Sequence, residues 1–342
     1  MSKVAAKTHV PPQGSDKITI HDFVAYLPTH SYIFTPCREP WVRGGVNACV
    51  APVPALDGAG QPKVANGKRV MLKATEWLDR NRAVQQFVWY PGETDLVADH
   101  LVVDGGFIHR KGVQIFNSYR PPRLELGDAT QAGRWVEHLH SIYSEQDATH
   151  IARWLAQRVQ RPSEKINHAL VMGGHPGIGK DTLLEPVKHA VGPWNFQEIN
   201  PAQLLGLFNH FIKSIVLRVS EAHDLGEFNR FSFYERSKLY TAAPPDVLRV
   251  NEKHIREYYV FNVVGMVITT NHKTDGIYLP ADDRRHYVAW SSRTKEDFTD
   301  DYWRAFWHWY QHEGGFGHVA SYLATLDLSG FDLVCVKTHL VI

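Results

Sequence analysis

The 342-residue chain has few cysteines, almost no net charge and no long apolar run, and each shortage excludes a class of protein. Cys37, Cys49 and Cys335 are odd in number and widely spaced. They supply neither a Cys-x-x-Cys zinc pair nor the disulfide framework of a small secreted domain, and they read as free thiols in a reducing compartment. Thirty-seven Lys and Arg against 36 Asp and Glu leave a formal charge of +1. A histone-like basic protein and an acidic tail protein are excluded, so contact with nucleic acid would need a local patch. No stretch approaches the roughly 18 apolar residues of a membrane span. The run Val260–Thr269 is broken by Asn262 and Gly265. The polar start, with its Pro11-Pro12 step, has no apolar targeting core, so the expected setting is cytoplasmic. Internal repeats and low-complexity blocks are absent as well.

The hydrophobic fraction of 44% and charged fraction of 21% suit an ordinary globular chain that buries a real core. The length implies about two domains. Residues 1–17 read as a flexible start. Residues 18–125 read as a small α+β segment, with β-type runs at Ser31–Thr35, Lys68–Leu72, Gln86–Tyr90 and His100–Val103 between Gly, Pro, Asp and Asn turns. This segment carries no Asp-x-Asp pair for two-metal polymerase chemistry. Residues 126–165 form a helical connector. Asp128 caps a helix to about Tyr143, with Trp135, Leu139 and Ile142 on one face, and a second helix runs from about Asp147 to Gln160, before Pro162. An α/β domain at 166–292 follows, then a helical segment at 293–342.

The α/β domain opens with a short buried-type strand, His168–Met172. It runs into Gly173-Gly-His-Pro-Gly-Ile-Gly-Lys-Asp-Thr182 and then a helical pattern, Leu183 to Val191. Gly174-x-x-x-x-Gly179-Lys180 has the Walker A spacing in its required strand–loop–helix context. Here Gly174, His175, Pro176, Gly177, Ile178 and Gly179 turn backbone N–H groups onto a phosphate at a helix N-terminus, and Lys180 adds a point charge. The hydroxyl that usually follows the lysine to hold Mg²⁺ is replaced by Asp181, with Thr182 next. Either residue can serve the ion, while a carboxylate without metal repels a polyphosphate. Pro186 should kink or end the helix.

Ile212–Glu221 reads as a strand with an acid at its tip. Glu221 is placed to position Mg²⁺ or polarise water, with Asp224 and Glu227 as substitutes nearby. Val263–Asn271 is a second apolar run, and Asn271 at its tip can bond a γ-phosphate or the attacking water. Asp282-Asp-Arg-Arg-His286 follows, in which Arg284 or Arg285 can neutralise charge at a neighbour's site or can belong to a surface ion-pair cluster. Between these strands, two β-type runs flank Asn251-Glu-Lys-His254 and read as a hairpin.

In this order the elements resemble a superfamily 3 helicase domain, and more closely the helicase portion of phage and prophage primase–helicase proteins. The matching residues are Gly174–Thr182, Val219-Ser-Glu-Ala222, Ile268-Thr-Thr-Asn271 and Asp283-Arg-Arg285. Some phage relatives also write Asp or Asn after the loop lysine. The resemblance implies an AAA+-like P-loop NTPase core, ATP and Mg²⁺, and a homo-oligomeric, often hexameric, ring around single-stranded DNA in replication. It also implies a basic pore hairpin, which puts Lys253 and His254 on the DNA backbone. A primase, upstream or separate, is the implied partner. The apolar end Phe331–Ile342 reads as a truncated or degraded copy.

Two rivals follow from the same residues. A phosphate-loop kinase of a small molecule or nucleoside needs neither Asn271 nor a neighbour's arginine. A degenerate remnant would bind nucleotide or DNA without turnover. The 20 histidines do not make a zinc site: Glu313 follows His308-x-x-x-His312 instead of lying inside it, and His138-Leu-His140 is merely close. The aromatic helix Tyr302–Tyr310 reads as core or subunit packing rather than a base-stacking platform.

Overall fold

The computed structural model describes residues 17–123, 125–220, 226–242, 244–253, 257–272, 279–280 and 283–334. Glu221, Asp224, His254, Asp282 and Cys335 lie outside them. The chain divides into two compact units, one of residues up to 87 with 110–116, the other of 88–109 with 117 onward.

In the first unit, β1 (Phe23–Tyr26), β2 (Ser31–Phe34), β3 (Glu39–Trp41) and β4 (Ala83–Val84) form a sheet in the order β3-β2-β1-β4. β1 and β2 are antiparallel, pairing Phe23 with Phe34. Alternation puts Phe23 and Ala25 on the face that meets Val46 of α1 (Arg43–Cys49) and Leu78 of α2 (Ala74–Asn81). The expected single run at Lys68–Leu72 is instead two short strands. Lys68–Arg69 pairs with Val64–Ala65, and Met71–Leu72 pairs with Val53–Pro54, so the chain changes partner at Val70.

Past residue 132 the second unit continues with α3 (Gly133–Ile142) and α4 (Glu145–Gln160), the latter capped by Ser144 through the Asp147 amide. Then come β5 (Ala169–Gly173), α5 (Lys180–Val191), β6 (Phe196–Ile199), α6 (Pro201–Leu205), β7 (Val216–Val219) and α7 (Gly226–Thr241). The hairpin β8 (Val247–Val250) and β9 (Tyr258–Phe261) precedes β10 (Gly265–Thr270), β11 (His286–Trp290), α8 (Asp300–His312) and α9 (Gly315–Thr325). Strands β6-β7-β10-β5-β11 make one sheet in that order, parallel throughout. Such a sheet is covered on both faces, which is why every residue of β5 and β10 is buried. After β5 the chain crosses to the far edge, works back to β10 on one side of β5, and ends with β11 on the other. That reversal opens a crevice at the carboxyl end of β5.

The helices at 133–160 and 300–325 share one core with this sheet: Trp135, Leu139, Ile151 and Trp154 meet Leu170, Val267, Phe306 and Val319 in a single apolar cluster. Pro186 does not end α5, which is continuous from Lys180 to Val191. Its missing N–H leaves the Thr182 carbonyl without its helical donor, and the Tyr310 hydroxyl of α8 donates there instead, at 2.9 Å. One residue on, the Leu183 carbonyl accepts from the Trp135 indole at 3.0 Å. Aromatic donors from two neighbouring helices thus hold the first turn of α5. No helix among the described residues is long and apolar enough to cross a membrane.

Candidate functional site

The glycine-rich loop leaves β5 level with the ends of both neighbours, since Gly173 pairs with Thr270 and with Trp290. A side chain at Gly173 would overlap the Trp290 ring. Gly179 starts α5 at φ +85, in the left-handed region, and a Cβ there would overlap Trp303 and His138. His138 lies buried beneath the loop, with its Nδ1 2.7 Å from the Tyr302 hydroxyl. Burial pulls its pKa down to about 4, so the imidazole stays neutral.

Lys180 is 6% exposed. Its Nζ donates to the carbonyls of Gly174 at 2.6 Å and His175 at 2.8 Å, and to Oδ1 of Asn271 at 2.8 Å. Lys180 at the start of α5 and Asn271 just past β10 therefore meet directly. Burial lowers the lysine pKa to about 8; Asp181 opposes the fall and Arg218 adds to it. An ammonium surrounded by neutral oxygens in a partly desolvated pocket has the chemistry to receive an anion.

Asp181 projects from the first turn of α5 and pairs with Arg218 Nη2 at 2.5 Å. Arg218 stands on β7, where its guanidinium also reaches Thr269 Oγ1 at 3.4 Å and Glu198 of β6 at 3.8 Å. The carboxylate that follows the lysine is thereby neutralised within the chain, an arrangement absent from the sequence reading. A charged residue in the middle of the apolar run Ile215–Val219 was the signal available for it. Thr182 is buried beside Asp181.

These groups line a cavity of about 500 Å³ together with Pro176, Gly177 and Ser220. Trp303 and Trp307 of α8 close one side. The aromatic helix is thus divided: Phe306, Trp309 and Tyr310 enter the core, while the i, i+4 pair Trp303 and Trp307 faces the cavity. The expected core packing is thus met by Phe306, Trp309 and Tyr310, while Trp303 and Trp307 also line the cavity.

Of the remaining expected residues, Ile178 is buried and His175 and Asn271 are exposed. Ser220 lines the cavity, and Glu221 after it lies outside the described residues. Lys253 is exposed in the loop of the β8–β9 hairpin, which is anchored where it leaves β8 by the Asn251 amide donating to Asn209 Oδ1 at 2.7 Å. Asp283 is buried and accepts from Tyr234 and His286, both at 3.1 Å. Arg284 is exposed, whereas Arg285 reaches the Lys238 carbonyl at 3.4 Å. Neither arginine is among the described residues lining the cavity of its own chain. No group of three His, Cys, Asp or Glu among the described residues is arranged to hold a metal.

Fold and site thus define an α/β protein with a glycine-rich loop at the carboxyl edge of a parallel sheet. A profile of a family of unknown function, DUF5906, matches residues 172–285, about a third of the chain and the part that contains the loop, Asn271 and Arg284. No curated protein matches the chain. Among solved structures, the apo C-terminal region of NrS-1 is similar at 17% identity and a TM-score of 0.57, over 72% of this chain and 56% of that one. Its A form gives 18% identity and 0.56, over 75% and 58%. At these identities the likeness is one of fold. This chain spans a little over half the length of those solved chains.

Proposed function

We propose that the chain is a motor domain that binds and hydrolyses Mg·ATP, assembles as a ring and moves along single-stranded DNA, as in phage-type primase–helicases. The observation that carries the reading is the contact of Lys180 with Asn271 at the mouth of the glycine loop. A triphosphate entering the cavity offers Lys180 oxygens of full charge in place of the Gly174 and His175 carbonyls. Asn271, released from the ammonium, is then available to the γ-phosphate or to the attacking water. The cavity volume and the buried cation both suit a polyphosphate.

The donors for a divalent ion are Asp181 and Thr182, with Glu221, two positions after β7 in the sequence. A hard carboxylate and hydroxyl set suits Mg²⁺, which keeps most of its waters. When bound, the ion would neutralise the phosphate oxygens. Arg218 holds Asp181 in the meantime and prevents a bare carboxylate from facing the polyphosphate. In this reading Glu221 activates water, and Arg284 or Arg285 acts on the adjoining subunit. Lys253 and His254 contact the DNA backbone.

ATP turnover measured against added single-stranded DNA tests the proposal. We expect stimulation by DNA and its loss in Lys180→Ala, with the fold retained. Turnover that ignores DNA but depends on a small phosphate acceptor would favour the kinase, and unchanged turnover in a folded Lys180→Ala protein would remove the loop from the chemistry.

A further inference from the structure

The loop cavity is lined by the polar side chains of Lys180, Asp181, Arg218, Ser220 and Asn271 and by two indoles, Trp303 and Trp307. Trp303 sits against the start of α5, since a side chain at Gly179 would enter its ring. It is fixed by its neighbours: the rings of Tyr302, His138, Phe298 and Phe306 lie at 5.2, 5.4, 5.6 and 6.2 Å. Trp307, one turn further along α8, is 36% exposed, with Tyr310 as a ring neighbour at 5.7 Å. A second, open cavity of about 660 Å³ continues along α8 and shares both indoles with the first. The cavity space therefore continues along α8 past the two indoles.

We infer that Trp303 and Trp307 form the nucleobase wall of this site, and that the site takes nucleoside triphosphates with little discrimination among bases. The inference rests on the phosphate-loop reading and extends it to the substrate class. Every base presents a π-face to an indole, so stacking contributes affinity without reading base edges. Rejecting a wrong base by a large factor would need fixed donors and acceptors aligned on those edges. On the α8 side, two of the polar residues that could do so are occupied: Arg304 pairs with Asp301, and His308 pairs with Glu313 at 3.5 Å. Trp303, already immobilised, loses little freedom when a base or ribose arrives, and Trp307 has exposed surface to cover.

Calorimetric titration of the full chain with ATP, GTP, CTP, UTP and inorganic tripolyphosphate separates the alternatives. The four nucleotides should bind within about tenfold of one another, purines tighter. Trp307→Ala should weaken ATP and GTP by roughly tenfold, as expected for losing one stacked ring, and leave tripolyphosphate within about twofold. Trp307→Phe should restore most of the loss. The wall is overturned, with the phosphate loop intact, if Trp307→Ala and Trp303→Phe leave nucleotide and tripolyphosphate affinity unchanged. It is also overturned if ATP exceeds the pyrimidine nucleotides by more than about a hundredfold, the mark of edge recognition. A change in sedimentation without a change in nucleotide affinity would assign Trp307 to contact with a second copy instead. Failure of every ligand, tripolyphosphate included, removes the phosphate-loop reading and this one together.

Discussion

Raising the pH should switch off anion binding at Lys180 while making the protein more stable. The pKa of the buried ammonium is lowered to about 8 from an ordinary 10.5. If a polyphosphate binds only the charged form, the apparent Kd scales with the inverse of the protonated fraction. Between about pH 7 and about pH 9 that fraction falls from roughly nine-tenths to roughly one-tenth, so affinity should fall about tenfold, or about 1.4 kcal/mol. The unfolded chain keeps the ordinary pKa and binds more protons than the folded chain between about pH 8 and 10.5, so stability contributed by this group rises through that window. Affinity and stability therefore move in opposite directions, and loss of binding cannot be mistaken for unfolding. The assay is calorimetric titration with tripolyphosphate across this range without metal, paired with thermal denaturation at each pH. Lys180→Arg provides the control, because a guanidinium stays charged throughout: its affinity should be flat with pH, whatever its value at neutrality. A flat profile in the native protein, or a slope that survives in Lys180→Arg, would refute the assignment of the charge to Lys180.

Asp181 is two-thirds exposed, so losing its pair with Arg218 should cost less than about 1 kcal/mol of stability in Asp181→Asn. If it holds the ion, the same variant should raise the Mg²⁺ needed for half-maximal ATP turnover more than Thr182→Val does, and the reverse order would transfer the role to Thr182. Gly179→Ala should lower the melting temperature more than Gly177→Ala. Both sites have left-handed φ, worth about 1–2 kcal/mol, but the first also overlaps Trp303 and His138 while the second meets Lys295 Cβ at 3.1 Å; equal losses would contradict the packing described. Lys253→Ala should reduce the log–log salt slope of single-stranded DNA binding by about 0.7 per contacting subunit and uncouple ATP turnover from DNA, and an unchanged slope with unchanged stimulation would remove the hairpin from the DNA path.

Local patterns in the chain determined a good deal. Gly174, Gly179 and Lys180 mark a glycine-rich turn into a helix because backbone reversal and helix start are set within a few residues. The buried strands 169–173 and 265–270, the hairpin around Asn251–Lys253 and the two helices before the loop were legible for the same reason, as period and turn chemistry are short-range properties. Tertiary structure alone decided how distant side chains combine. Asn271 reaches Lys180 across 91 positions, Arg218 reaches Asp181 across 37, and Tyr310 reaches the Thr182 carbonyl across 128, rescuing a helix that Pro186 alone would interrupt. The division of α8 between a core face and a cavity face was hidden too, because Trp303, Phe306, Trp307 and Tyr310 are equally apolar in the sequence. Which of them stays partly in solvent depends on where the carboxyl edge of the sheet lies. Sheet order brings these residues together, and it arises from the packing of the whole unit rather than from any local run of residues.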